Sequence, residues 1–129
     1  MAFEIPGFAF TLPAAADLSA SQYTFVTIDA SGEAVLPATT GEAVIGVLQN
    51  KPTVQGQAAS IMVNGISKIT APASTLSNGD LIEASTKGQA IPLAAGGFGV
   101  GRIVGGSSGG AGRVLSVQLG HYGSTAIAK

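Results

Sequence analysis

Hydrophobic and polar positions alternate in short runs along most of this chain, and the 3.6-residue spacing of an amphipathic helix is hard to find. Residues 22–29, Gln-Tyr-Thr-Phe-Val-Thr-Ile-Asp, put Tyr23 and Phe25 on one face and Val26 and Ile28 on the other, as a half-buried strand does. Further strands are predicted at 34–36, 43–49, 81–85, 90–93, 99–105 and 112–120. Pro52 closes the 43–49 run, because proline cannot continue a ladder. Residues 57–70 read as one long strand with a kink or bulge at Gly65. Turn chemistry separates the runs: Ala-Ser-Gly-Glu at 30–33, Asn78-Gly79, and Thr-Lys-Gly-Gln at 86–89. Gly-Ser-Ser-Gly-Gly-Ala at 106–111 reads as a mobile hairpin loop. At most one helical turn fits, over 13–20. Strands this short and this regularly punctuated predict an all-β barrel or sandwich.

The runs also echo one another. Gly32-Glu33-Ala34-Val35 aligns with Gly88-Gln89-Ala90-Ile91, 56 residues on. Ile45-Gly46 meets Val100-Gly101, Leu48 meets Ile103, Gly56-Gln57 meets Gly112-Arg113, Ser60 meets Ser116, and Ile61 meets Val117. Upstream, Leu18-Ser19 meets Leu76-Ser77 at an offset of 58, so the first copy carries about two extra residues there. The pattern predicts a diverged duplication of a four-strand unit, about 17–68 and 75–121. Fifty residues with few large side chains bury too little apolar area to stand alone. The two halves are therefore expected to share a core within one domain, 17–121. Glycine is expected where the repeated inner strand lets backbone approach backbone.

Residues 1–16 lie outside that domain, as do 122–129, read as a C-terminal tail. The first sixteen hold three of the five Phe (Phe3, Phe8, Phe10) together with Ile5, and Pro6 and Pro13 force extended backbone around them. Such an arm can fold back as a strand on its own barrel, or reach onto a neighbour with its side chains as anchors. A duplicated barrel needs no ninth strand, which favours the neighbour. Phe3, Ile5, Phe8 and Phe10 are the expected partner-binding residues, and deletion of 2–12 is expected to leave the barrel folded. Asn50 and Lys51, in Gln-Asn-Lys-Pro at 49–52, are a further possible partner contact, although the same residues suit an ordinary strand-ending turn.

Composition sharpens this picture. Only 10% of the 129 residues are charged, against about a quarter in an average soluble domain. A surface so poor in charge is expected to be covered by other subunits or by a partner. The net charge of −1, with no run of either sign, speaks against nucleic-acid binding. There is no Cys for a disulfide or a thiolate metal site. The N-terminus lacks the basic residues of a signal peptide, and no run reaches the roughly 18 apolar residues that cross a bilayer.

Catalytic chemistry is not expected. The single His121 cannot build a multi-histidine site, and any Ser–His–acid arrangement would have to use it, at the edge of the tail. Asp17, Asp29, Glu33, Glu42, Asp80 and Glu83 fall mostly at turns or strand ends, where carboxylates bond nearby backbone. Gly-Gly-Ser-Ser-Gly-Gly-Ala-Gly-Arg at 105–113 lacks the Lys and the following Ser/Thr of a phosphate loop, and precedes a strand. Neither an enzyme nor a metal or cofactor site is predicted.

The phrases Ile-Gly-Val-Leu-Gln-Asn followed by Pro (45–52), Gly-x-x-Ala-x-x-x-Val-x-Gly-x-Ser-Lys over 56–68, Gly79-Asp80-Leu81 and Lys87-Gly88-Gln89-Ala90 carry a resemblance. Over residues 22–93, and more weakly beyond, the chain resembles the capsid decoration (head cement) proteins of tailed bacteriophages. The resemblance implies a β-rich homotrimer on the outer surface of the virion, made in the host cytoplasm. There it would bridge neighbouring major capsid protein subunits against the pressure of packaged DNA. Termini vary widely among such proteins, so the resemblance assigns nothing to the arm. The alternative is a carbohydrate- or host-surface-binding β module of a virion, which would usually present loop aromatics; this chain has no Trp and only Tyr23 and Tyr122.

Overall fold

A computed structural model describes residues 4–72, 76–106 and 113–124, for 113 and 121–124 the backbone alone. Its strands are β1 (Ile5–Pro6), β2 (Ala9–Pro13), β3 (Phe25–Ile28), β4 (Ala34–Val35), β5 (Gly46–Leu48), β6 (Ala58–Met62), β7 (Gly65–Ala71), β8 (Leu81–Ala84), β9 (Ala90–Pro92), β10 (Phe98–Gly105) and β11 (Arg113–Ser124). No helix occurs among the described residues, and so none long and apolar enough to cross a membrane. The predicted all-β architecture is present as two sheets, of order β2-β6-β5-β3-β4 and β1-β7-β11-β10-β8-β9.

Those two orders contain the same arrangement twice. β6-β5-β3-β4 in one sheet is matched by β11-β10-β8-β9 in the other. Register repeats as well: Thr27 opposes Val35 and Ile28 opposes Ala34, while Glu83 opposes Ile91 and Ala84 opposes Ala90. Leu48 faces Ile61 as Ile103 faces Val117. The connecting turns are built alike. Asp29 Oδ1 accepts from the amides of Ser31 and Glu33 at 3.0 and 2.9 Å; Ser85 Oγ accepts from those of Lys87 and Gln89 at 3.3 and 3.2 Å.

The correspondence runs one strand further upstream than the sequence pattern suggests. Thr11 opposes Ser60 and Leu12 opposes Ala59; in the second sheet Lys68 opposes Ser116 and Ile69 opposes Leu115. β2, within the segment read as an arm, thus stands to β6 as β7 stands to β11. Each unit has five strands, β2–β6 and β7–β11. In the first, Ala14 closes the curl by a parallel bridge to Ala34, and in the second β7 and β9 come together. β11 also runs on to Ser124, three residues into the segment read as tail, because the long β10 offers Phe98 and Gly99 as pairing partners. Residues 57–70 are not one kinked strand. They leave the first sheet after Met62 and enter the second at Gly65, whose φ of 96° makes the corner.

Packing distinguishes the two units. Val26, Leu48, Ala59 and Ile61 point into the first unit's own core with Ala14, Leu18 and Ala34. Their alternation partners Phe25, Val47 and Met62 point the other way and join the second unit's core, with Ile69, Ile82, Ile103, Leu115 and Val117. The β6-β5-β3 wall is therefore buried on both faces, and β5 (Gly-Val-Leu) is buried throughout. The residues matching that outward triplet in the second unit are Leu81, Arg102 and Gln118; Leu81 is half-buried and the other two are exposed.

Candidate interaction surface

The N-terminal strands form one bent ladder with the β6–β7 corner. Ile5 opposes Ile66 and Pro6 opposes Gly65 in one sheet; Ala9 opposes Met62 and Pro13 opposes Ala58 in the other. Between them Val63 N–H donates to Phe8 C=O at 2.8 Å, and Phe8 N–H donates to Asn64 Oδ1. The corner leaves no room for side chains: a Cβ on Gly65 would lie 2.5 Å from Gly7 N. The arm thus folds back on its own chain along its whole described length.

Its backbone is engaged, but the side chains of Ile5, Phe8 and Phe10 stay open. Ile5 is 59% exposed, Phe8 65% and Phe10 38%. The other large exposed apolar residues of the described chain are Ile28, Val54 and Val114, none of which the sequence marks as a partner contact. Leu12, on the same face of β2 as Phe10, is half-buried against the first unit's core. Phe3 lies outside the described residues, as do the 107–112 part of the glycine-rich loop and the tail from 125 onward.

Asn50 is occupied within the fold. Its Nδ2 donates to Ala58 C=O at 2.9 Å and its Oδ1 accepts from Ser60 N–H at 2.9 Å, which pins the 49–52 turn to β6. Pro52 is buried, and its carbonyl accepts from Leu18 N–H at 2.9 Å. Lys51 alone of this group faces solvent.

Asp17, Asp29, Glu42, Asp80 and Glu83 serve nearby backbone. Glu42 Oε1 accepts from Ala38 N–H at 2.9 Å, Asp80 Oδ2 from Ser77 N–H at 2.9 Å, and Glu83 Oε1 from Ala94 N–H at 3.1 Å. Asp17 Oδ1 accepts from both the hydroxyl and the amide of Ser19, at 2.7 and 2.9 Å, and these two bonds hold its carboxyl below the ordinary value. Among the described residues no group of three or more His, Asp or Glu is gathered to hold a metal.

No family model matches the chain, and no curated protein matches it. A solved structure does: the N base of the head fiber gp8.5 in bacteriophage phi29, with a TM-score of 0.65. The likeness covers 88% of this chain and 93% of that one. At 15% identity it is a likeness of fold. The base of a phage head fiber thus shares this fold over nearly its whole length.

Proposed function

We propose that this chain is a structural protein of a bacteriophage virion, seated on the outer surface of the head. The observation that carries this reading is the match of fold to a phage head fiber base over nearly the whole of both chains. Low charge and the exposed apolar side chains of Ile5, Phe8 and Phe10 fit a protein whose surface is covered in its working state. Its role is that of a decoration protein without catalysis or cofactor, binding the major capsid protein and bridging neighbouring subunits as a homotrimer. A trimer engaging three sites gains avidity without new contacts.

Co-sedimentation with DNA-free heads of the phage that carries the gene tests this. Saturable binding, a raised melting temperature of the heads and three-fold density on their exterior are expected. Heads that bind none of the purified chain would overturn the reading. Apolar contact predicts little loss of binding in moderate salt, and a steep loss would count against that mode of attachment.

A further inference from the structure

Two edges of this protein are equivalent, and one of them is filled. The outer edge of β7 holds β1, with Ile5 at Ile66 and Pro6 at Gly65. Because Thr11 opposes Ser60 as Lys68 opposes Ser116, Ala9 of β2 stands where Ile66 stands, and Phe8 where Gly65 stands. Beyond β2 at this point no described strand lies.

Ladder alternation identifies the free groups. Phe8 C=O accepts from Val63 N–H, and Ala14 N–H donates to Gln57 C=O, so the even-numbered residues here direct their backbone toward β6. Ala9 and Thr11 then direct N–H and C=O outward, and both residues are exposed. The side chains differ from those of the filled edge in a telling way. Phe10 takes the place of Ser67, which is fully buried, and keeps 38% of its surface exposed beside the still more open Phe8. The chain's own β1 cannot fill this edge, since only Gly7 and Phe8 separate it from β2 and both continue the same ladder.

We propose that the outer edge of β2 at Ala9–Thr11 is the seat for an extended, uncharged segment of the partner protein, added antiparallel as Ile5–Pro6 is added to β7. That the partner is a shell protein rests on the function proposed above; the seat itself does not. Backbone bonds to Ala9 and Thr11 hold the segment, and an aliphatic residue on its inner face lies against Phe8 and Phe10. β2, Ala-Phe-Thr-Leu-Pro, carries no charge with which a charged occupant could pair.

A capped Thr-Ile-Pro-Ile-Thr peptide, titrated into the full chain and followed by amide NMR, tests the seat without heads. Shifts centred on Ala9 and Thr11, with exchange at those amides slowed by about tenfold, are expected. Thr11→Pro should abolish binding and leave the unfolding midpoint unchanged, because that N–H makes no bond to β6; Ala9→Pro repeats the test. No binding at millimolar peptide, or shifts elsewhere with Ala9 and Thr11 unmoved, would overturn the proposal. So would an oligomer of the free chain that Thr11→Pro dissociates, since a second copy would then occupy the edge. On heads, the same amides should become protected; heads that bind while Ala9 and Thr11 exchange freely would also refute it.

Discussion

Tyr23 and Gly79 hold one turn position in the two units, and both take left-handed backbone, with φ of 63° and 94°. Tyr23 N–H donates to Leu48 C=O at 2.8 Å, and Gly79 N–H to Ile103 C=O at 2.7 Å. For tyrosine this conformation costs about 1 kcal/mol. Contacts to the second unit offset the cost: Thr70 N–H donates to Tyr23 C=O at 2.8 Å, and Lys68 Nζ lies 5.6 Å from the ring centroid. Tyr23→Ala keeps the strain and loses the ring, so it should destabilise by about 1 kcal/mol more than Tyr23→Gly in chemical denaturation. Gly79→Ala, with open space around it, should cost about 1 kcal/mol from strain alone.

Gly46 and Gly101 are the repeated glycines of the inner strand. A Cβ at Gly46 would lie 2.3 Å from Met62 O, and one at Gly101 2.5 Å from Val117 Cγ2 and 3.0 Å from Gln118 O. The first obstacle is rigid backbone and the second is partly a side chain that can turn. Each Gly→Ala change should cost about 1–3 kcal/mol by urea denaturation, Gly46→Ala the more, from overpacking of a close approach.

Glu83 locks the joint between the units. Its side chain is buried, holds the Ala94 amide, and fills the slot between Gly41 and Gly97; a Cβ on Gly97 would fall 1.8 Å from Oε1. Gly41 N–H donates to Ala84 C=O at 2.8 Å, and Phe98 N–H to Gly41 C=O at 2.9 Å. Glu83→Ala, which empties the slot, and Gly97→Ala, which crowds it, should each lose about 2 kcal/mol, and the double variant less than their sum, since the methyl added at 97 enters the space that the carboxylate leaves.

Asp17 sets a small acid dependence. Its folded carboxyl is held below the ordinary value by the Ser19 hydroxyl and amide. A lowered pKa contributes stability that is present above the unfolded value, about 3.9, and is lost as pH falls through the folded one. Carboxyl titration by NMR should find Asp17 among the last groups to protonate, and Ser19→Ala should move it up toward the ordinary value.

Truncation separates the two N-terminal strands. Removing residues 2–7 deletes β1 and should leave cooperative unfolding intact with a modest loss in midpoint. Removing 2–13 takes away the first strand of a five-strand unit, uncovers the core beside Leu12, and should cost about 3 kcal/mol or more. The sequence expectation that a 2–12 deletion leaves the barrel folded does not hold for a fold in which β2 belongs to the barrel.

Why that strand escaped sequence reading is physical. Ala9–Pro13 and Ile66–Thr70 share only an aliphatic residue, Leu12 against Ile69, so the equivalence lives in pairing register. The later echoes were legible because they rest on backbone needs: Gly46 and Gly101 at a close approach, Gly32 and Gly88 in a turn. The switch of sheets after Met62 is marked by Asn64-Gly65, but the strand pattern resumes at once with Ile66, so the pair reads as a kink within one strand; Tyr23 reads as a strand residue because its ring suits one. Asn50 carried no sign that β6 would claim both ends of its amide. An open edge such as β2's is invisible in a sequence, since it is defined by the neighbour that is missing.

The doubly buried wall gives the molecule a direction. One unit turns Phe25, Val47 and Met62 onto its twin, whereas at the matching places the twin leaves Arg102 and Gln118 exposed and Leu81 half-buried. Had both copies kept the oily triplet, nothing in their geometry would cap the column at a pair, and head-to-tail growth into fibres would be open to it. An arginine and a glutamine at the far end act as a full stop.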